Sequence, residues 1–242
     1  LYTRDECVKR GILASKCRVI PPGLEVAEYR VMLSDVERRF WLNSWGIYSP
    51  EQKILLTAGR LVPRKGVARF VSEALPLLMA QRQDWVYLIA GDGPERPKIE
   101  QAISNHRLSQ QVRLLGKIEE QALKAAYALA DVFVMPNVPI PGDPEGFGIV
   151  LIEARASGVP VVASDLEGIR EAVGNEEDGT LVKPEDWAAF VEAIDWWLNR
   201  RETIADRERR RERVRAEFDW SYIIPRYLDL FQEVEARITL GA

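Results

Sequence analysis

The 242-residue chain is 47% hydrophobic and 29% charged, which allows a sizeable core and excludes global disorder. A net charge of −4 argues against a nucleic-acid partner held through phosphate neutralisation, and no apolar run approaches the about 18 residues of a membrane span. Two cysteines (Cys7 and Cys17), one histidine (His106) and charges in the first ten residues match no zinc site, redox pair or secretory signal, so a soluble, cytoplasmic, disulfide-free protein is expected.

The length is long for one domain and short for two. At the start, residues Leu1 to Arg18 read as a helix, followed by a short strand Arg18–Ile20 and the breaker Pro21-Pro22-Gly23. Strands are then expected at Lys53–Ala58, Trp85–Ala90, Val112–Leu115, Val132–Met135, Val159–Ala163 and Thr180–Val182. The first five are apolar throughout, as in parallel strands covered on both faces. Helical patterns fall between them at Val67–Gln81, Pro94–His106, Glu119–Ala130 and Gly148–Ala156, the last stopped at Ser157-Gly158. Repeated βα units with short connections predict an α/β, Rossmann-like, doubly wound parallel sheet. Three further helices follow: Pro184–Leu198, the charged stretch Arg200 to Glu217, and Ser221–Ala236.

That charged stretch holds eight arginines and five acids. Interleaved signs favour a solvated helix with local ion pairs, such as Glu208 and Glu212 against Arg211 and Arg215, over an arm for membranes or nucleic acid. It is expected to carry no chemistry.

In open α/β sheets ligands bind beyond the carboxyl ends of the strands, and the unusual residues of this sequence gather there. The first strand runs into Gly59-Arg60-Leu61-Val62-Pro63-Arg64-Lys65-Gly66, the second into Gly91-Asp92-Gly93-Pro94, the third into Gly116-Lys117-Ile118, and the fourth into Pro136 to Gly148. Arg60 and Lys65 suit a diphosphate, although spacing alone equally fits two solvated loop cations. Gly91-Asp92-Gly93 lacks the third glycine and the following acid of a dinucleotide fingerprint, which disfavours NAD. The sharpest segment is Glu145-Gly146-Phe147-Gly148-Ile149-Val150-Leu151-Ile152-Glu153. Its glycines let amides at a helix start approach an anion. Eight helical residues would span about 12 Å, beyond the about 5–9.5 Å between paired glycosidase carboxylates. The two acids are therefore expected to grip different parts of one elongated ligand. Glu153, set among Ile149, Val150, Ile152 and Ala156, is poorly placed for a purely solvated acid.

The segments GRLVPRKG (Gly59–Gly66), AGDGPE (Ala90–Glu95), VRLLGKI (Val112–Ile118), DVFVMPN (Asp131–Asn137) and EGFGIVLIEARASGVPVVAS (Glu145–Ser164), with Glu167-Gly168-Ile169-Arg170-Glu171 after them, occur in one order. Together they resemble the donor-binding half of retaining glycosyltransferases of GT-B architecture, most closely glycosyltransferase family four. The resemblance implies transfer of a sugar, with retained configuration, from a UDP-, GDP- or ADP-linked donor to a glycan, a lipid-linked sugar or a small molecule. It implies catalytic roles for Arg60, Lys65 and Glu145, with the two cations on the diphosphate and Glu145 facing the donor sugar. Glu153 would accept from the ribose hydroxyls, and Phe147, Gly148, Ile149 and Val150 would offer backbone amides. Gly59 and Gly91 would line the donor, and main chain near Ile118 would meet the base. It implies no cofactor and no bound metal, since the cations and helix dipole would take that role. The implied location is cytoplasmic, with at most peripheral contact at the inner face of a membrane.

The domains expected on this resemblance are residues 1–22 as the tail of a mostly absent N-terminal acceptor domain, 23–219 as the nucleotide-sugar domain, and 220–242 as a helix crossing back to the absent domain. Lacking that domain, the chain alone is expected to show negligible transfer. An alternative is a non-catalytic nucleotide-sugar-binding or assembly module.

Overall fold

A computed structural model describes residues 1–49 and 51–240. Its centre is a six-stranded, wholly parallel sheet: β1 (Lys53–Ala58), β2 (Trp85–Ala90), β3 (Val112–Gly116), β4 (Val132–Met135), β5 (Val161–Ser164) and β6 (Gly179–Val182). The strands lie in the order β3-β2-β1-β4-β5-β6. The order turns back beside β1, so β1 and β4 form the topological switch point, with Leu55 opposite Val132 and Leu56 opposite Phe133.

The helices agree with the apolar spacing, with shifts that have local causes. They are α1 (Tyr2–Lys9), α2 (Asp35–Ser44), α3 (Val67–Arg69), α4 (Leu75–Gln81), α5 (Arg96–Asn105), α6 (Glu120–Leu129), α7 (Ile149–Ala156), α8 (Arg170–Val173), α9 (Trp187–Asn199), α10 (Ile204–Phe218) and α11 (Trp220–Leu240). The expected helix Val67–Gln81 is α3 and α4 joined through a π-helical turn, Phe70–Ala74. Pro76 follows that turn and lacks the N–H a regular turn would return to Ser72, so the turn widens just before it. Strand β5 begins at Val161, two residues later than expected, because Pro160 has no N–H for the ladder.

Three expectations are corrected. Arg18–Ile20 forms no strand; the segment runs irregularly towards Leu24, whose N–H donates to the Phe218 carbonyl and whose own carbonyl accepts from Trp220. It meets helix ends rather than a sheet edge and has no ladder to join. Strand β3 is not covered throughout: it is the sheet edge, half-buried after Val112, and Arg113 turns its guanidinium onto the Trp45 and Ser109 carbonyls. Helices α2 and α8 were not anticipated, though α2 opens with a Ser34–Glu37 capping box that is legible in the sequence.

The third correction concerns the charged stretch. Arg215–Glu212 and Arg211–Glu208 pair locally as expected, yet one face of α10 is buried. Arg210 is 1% exposed and donates to the Gly158 and Glu177 carbonyls and to both oxygens of Glu202. Arg211 donates to the Ser157 carbonyl and Arg207 to that of Ala130. Two arginines thus cap the end of α7, where helix carbonyls lack intrahelical partners and attract cations. Asp178 lies beside them, fully buried, accepting from Arg155 of α7 at 2.7 Å and from Arg213 of α10 at 2.9 and 2.5 Å.

One apolar layer, including Phe70, Leu78, Ile99, Phe190 and Ile194, covers one face of the sheet. The other, including Ala126, Tyr127, Leu151, Ile152, Val214 and Phe218, covers the opposite face and seats α6, α7 and α10. Among the described residues no helix is long and apolar enough to cross a membrane.

Candidate active site

Strand β1 ends at Ala58, and the chain turns through Gly59 at φ 141°, a conformation that favours glycine. Arg60 follows, exposed; its carbonyl accepts from the Val62 N–H at 3.0 Å, while its guanidinium has no hydrogen bond or ion pair among the described residues. The next residues form a short 3-10 turn, Pro63–Lys65, closed by left-handed Gly66 at φ 65°. A Cβ on Gly66 would lie 2.0 Å from the Pro136 carbonyl oxygen. That close approach presses the cationic loop against the end of β4 and delivers Lys65 into the switch-point crevice.

There Lys65 meets Glu145, eighty positions away, with Nζ 2.5 Å from Oε2. The same oxygen accepts from Asn137 Nδ2 at 3.1 Å and lies 3.5 Å from Arg64 Nε. Glu145 is only 9% exposed, so its charge is held by two cations and an amide rather than by water. Its backbone is fixed as well: the Glu145 N–H donates to the Glu167 carboxylate, and the Gly168 N–H donates to the Glu145 carbonyl at 3.3 Å. The Glu167–Gly168 stretch therefore closes over the loop ahead of α7. The sequence reading passed over Asn137 and Arg64; Asn137, one residue past the Pro that ends β4, was the legible signal.

Helix α7 starts at Ile149 with Gly148 ahead of it and no side chain capping its first turn. The Ile149 N–H donates to the Phe147 carbonyl and the Leu151 N–H to that of Gly148, which leaves the Gly148 and Val150 amides without a backbone partner among the described residues, where an anion can take the place of a cap. Ile149 is 40% exposed beside them, while Phe147 and Val150 pack onto the core. Only the last part of the span from Glu145 to Glu153 is helical, so the straight eight-residue rise assumed from sequence does not apply. The two carboxylates have different partners: Glu145 is tied to Lys65, and Glu153 accepts from the Tyr127 hydroxyl at 2.8 Å. Tyr127 lies edge-on to Tyr29, ring centroids 6.1 Å apart. Burial, then the Glu153 charge, pushes both phenols well above their ordinary range, so both stay protonated and Tyr127 remains the donor to that carboxylate. Neither tyrosine was picked out from the sequence; Tyr127 sits on the apolar stripe of α6 and reads there as core.

The remaining candidates line the same rim. Gly91, at φ 148°, donates to the Gly116 carbonyl at 2.8 Å, and a Cβ there would lie 1.8 Å from the Gly59 carbonyl oxygen. The ends of β1, β2 and β3 thus meet through glycine backbone, which gives Gly91 a packing reason of its own. Ile118, two residues past β3, packs half-buried against the core.

A parallel sheet in this order, with a cationic loop, an uncapped helix start and two separated acids at its switch point, defines a Rossmann-like domain suited to an elongated anionic ligand. Residues 39–216 match the glycosyl transferases group 1 family, and the chain belongs to that family. It is 36% identical over 241 aligned residues to a phosphatidyl-myo-inositol mannosyltransferase of Mycobacterium leprae, covering 89% of this chain and 62% of that protein. It is 28% identical to a GDP-mannose-dependent alpha-(1-6)-phosphatidylinositol monomannoside mannosyltransferase of Mycobacterium tuberculosis, covering 97% of this chain and 60% of that protein. The chain thus spans about three-fifths of these relatives' length. Among solved structures, a glycosyltransferase of Rickettsia africae superposes with a TM-score of 0.84 at 20% identity over 96% of this chain and 61% of its own. Anabaena Alr3699/HepE in complex with UDP superposes at 0.82 and 21% identity, again over 96% of this chain and 61% of its own. At these identities the two structures speak for the fold.

Proposed function

We propose that this chain is the nucleotide-sugar-binding half of a glycosyltransferase that moves a sugar to an acceptor with retention of configuration. The observation that carries the reading is the meeting of Lys65 and Glu145 at the switch point, with unpaired Arg60 at its mouth and the α7 amides beside it. Arg60 and Lys65 bind the donor diphosphate and stabilise negative charge on the departing nucleotide. Lys65 is held at the crevice by its bond to Glu145 and offers its remaining ammonium hydrogens to the diphosphate. Glu145 faces the donor sugar, and Glu153, oriented by Tyr127, accepts from the ribose hydroxyls. The backbone amides of Phe147 to Val150 meet sugar hydroxyls and phosphate, main chain near Gly59, Gly91 and Ile118 borders the nucleoside, and no bound metal is needed.

Residues 23–219 form the donor domain, and 220–242 a helix that docks on the domain completing the acceptor side, of which residues 1–22 are the tail. Of that segment, residues 241 and 242 lie outside the described residues. Uridine, guanosine and adenosine diphosphates are the ligands to compare, since relatives act on GDP-mannose and a structural neighbour binds UDP.

Calorimetry tests this reading. A nucleoside diphosphate binds without a divalent ion; Glu153→Ala weakens it about ten- to a hundredfold, the worth of a charged hydrogen bond of about 1.5–3 kcal/mol. Arg60→Ala and Lys65→Ala weaken it too, while Glu145→Ala leaves it nearly intact and depresses turnover of the completed enzyme. Absence of binding by all three diphosphates, or equal weakening by both glutamate changes, overturns the assignment.

A further inference from the structure

Helix α9 buries Val191, Ile194, Trp197 and Leu198, yet leaves Trp196 52% exposed. Glu192, Asp195, Trp196 and Asn199 follow the three- and four-residue spacing of one helix face. With Gln81 from the end of α4 and with Arg200, they line an open depression, and a second depression along Thr180 and Leu181 shares Trp196 and Arg200. The indole is therefore a ridge between two grooves.

The ridge is rigid. Trp196 stands edge-to-face on Trp197 at 4.7 Å and 89°, and Trp197 is buried with its Nε1 donating to Thr180 Oγ1 at 3.0 Å. The Arg200 guanidinium lies 5.2 Å from both ring centroids. The polar neighbours are held as well: Arg82 donates to Asp195 at 2.9 Å and to Asn199 at 3.1 Å, and the Asn199 amide donates to Asp195 at 2.8 Å. Gln81 and Glu192 stand exposed, with no partner among the described residues.

A fixed aromatic plane ringed by an amide pair and carboxylates matches the chemistry of a pyranose. One face of such a ring presents C–H bonds to an aromatic, and its rim presents hydroxyls that both donate and accept. Arg82 on Asp195 and Arg200 over the indole are matched by Asp195 and Glu192, so the surface has no cationic excess for a phosphate-bearing occupant, unlike the crevice. Gln81 lies just ahead of β2 and Trp196 near the end of α9, which places the platform at the amino ends of the strands, opposite the crevice. Six-residue strands are about 20 Å long, so one sugar cannot occupy both places.

We propose that Trp196, with Glu192, Asp195, Asn199 and Gln81, forms a second site that holds one ring of a neutral oligosaccharide or polysaccharide apart from the nucleotide crevice. The ligand class deepens the proposed function by naming a chain-like glycan as something this enzyme holds, while the site itself rests on the α9 surface alone.

Native gels containing glycogen or an α-mannan test it, because relatives of this chain include a glycogen synthase and mannosyltransferases. The chain should be retarded by at least one polymer, Trp196→Ala should weaken retardation tenfold or more, Asp195→Ala should weaken it less, and Trp196→Phe should restore part of it. Nucleoside diphosphate binding should be the same in Trp196→Ala as in the parent, so failure at the crevice and failure at the platform are read separately. No retardation by either polymer, retardation that survives Trp196→Ala in a folded protein, or retardation abolished by Arg60→Ala overturns the proposal.

Discussion

Replacing Asp178 with alanine should be among the most damaging single changes to stability. The Asp178 side chain is 1% exposed and serves Arg155 at 2.7 Å and Arg213 at 2.5 Å, with Arg210 at 3.9 Å. Arg213 is 25% exposed and also reaches Glu177, so water and a second acid would take over its charge. Arg155 has no such recourse: it is wholly buried, and among the described residues its Nε has no partner and the other bond of its side chain is to the Ala172 carbonyl at 2.9 Å. Removing one partner of a buried pair costs about 3–5 kcal/mol, because the other charge stays desolvated. At about 2–4 °C per kcal/mol for a domain of this size, Tm should fall by about 6–20 °C. Arg155→Met should cost less, since Asp178 keeps Arg213. Glu212→Ala, which breaks the exposed pair with Arg215, should cost under about 1 kcal/mol. Urea unfolding followed by tryptophan fluorescence, with calorimetry beside it, measures all three. A loss below about 1 kcal/mol for Asp178→Ala would refute the view that α7 and α10 are locked through this carboxylate.

Gly66→Ala should destabilise the chain by about 1–3 kcal/mol and weaken nucleotide binding, because the left-handed backbone and the Pro136 carbonyl both oppose a Cβ; unchanged affinity in a folded variant would separate the turn from the site. Tyr127→Phe deletes the donor to Glu153 and should cost about 1.5–3 kcal/mol in urea unfolding, with a fall in diphosphate affinity read by calorimetry. The Asp84 carboxyl is held below its ordinary value, chiefly by its hydrogen bonds from Arg82. A depressed folded pKa contributes stability above the unfolded value, about 3.9, and that contribution is lost as pH falls through the folded value. Asp84→Asn should therefore flatten the loss of stability between neutral and strongly acidic pH, and an unaltered acid limb would show that the pair carries none of it.

Much of the architecture was legible along the chain. Parallel strands covered on both faces leave continuous apolar runs, so β1, β2 and β4 fall where those runs fall, and short βα connections imply the parallel order. The glycines at positions 59, 66 and 91 mark turns that only a residue without a Cβ makes easily, and so point to the rim of the sheet. The glycine-flanked start of α7 was legible too, because residue type and helix start are local properties. What tertiary structure alone decided are the contacts between positions far apart in the chain. Lys65 and Asn137 meet at Glu145 only because β1 and β4 lie side by side, and Tyr127 reaches Glu153 only because α6 and α7 cover the same face of the sheet. In α10, alternating charges read as a solvated face, and periodicity cannot tell an arginine facing water from Arg210 facing the end of another helix. Burial of a charge depends on whether the fold delivers its partner, and for Arg155 that partner is Asp178, brought up by the turn ahead of β6.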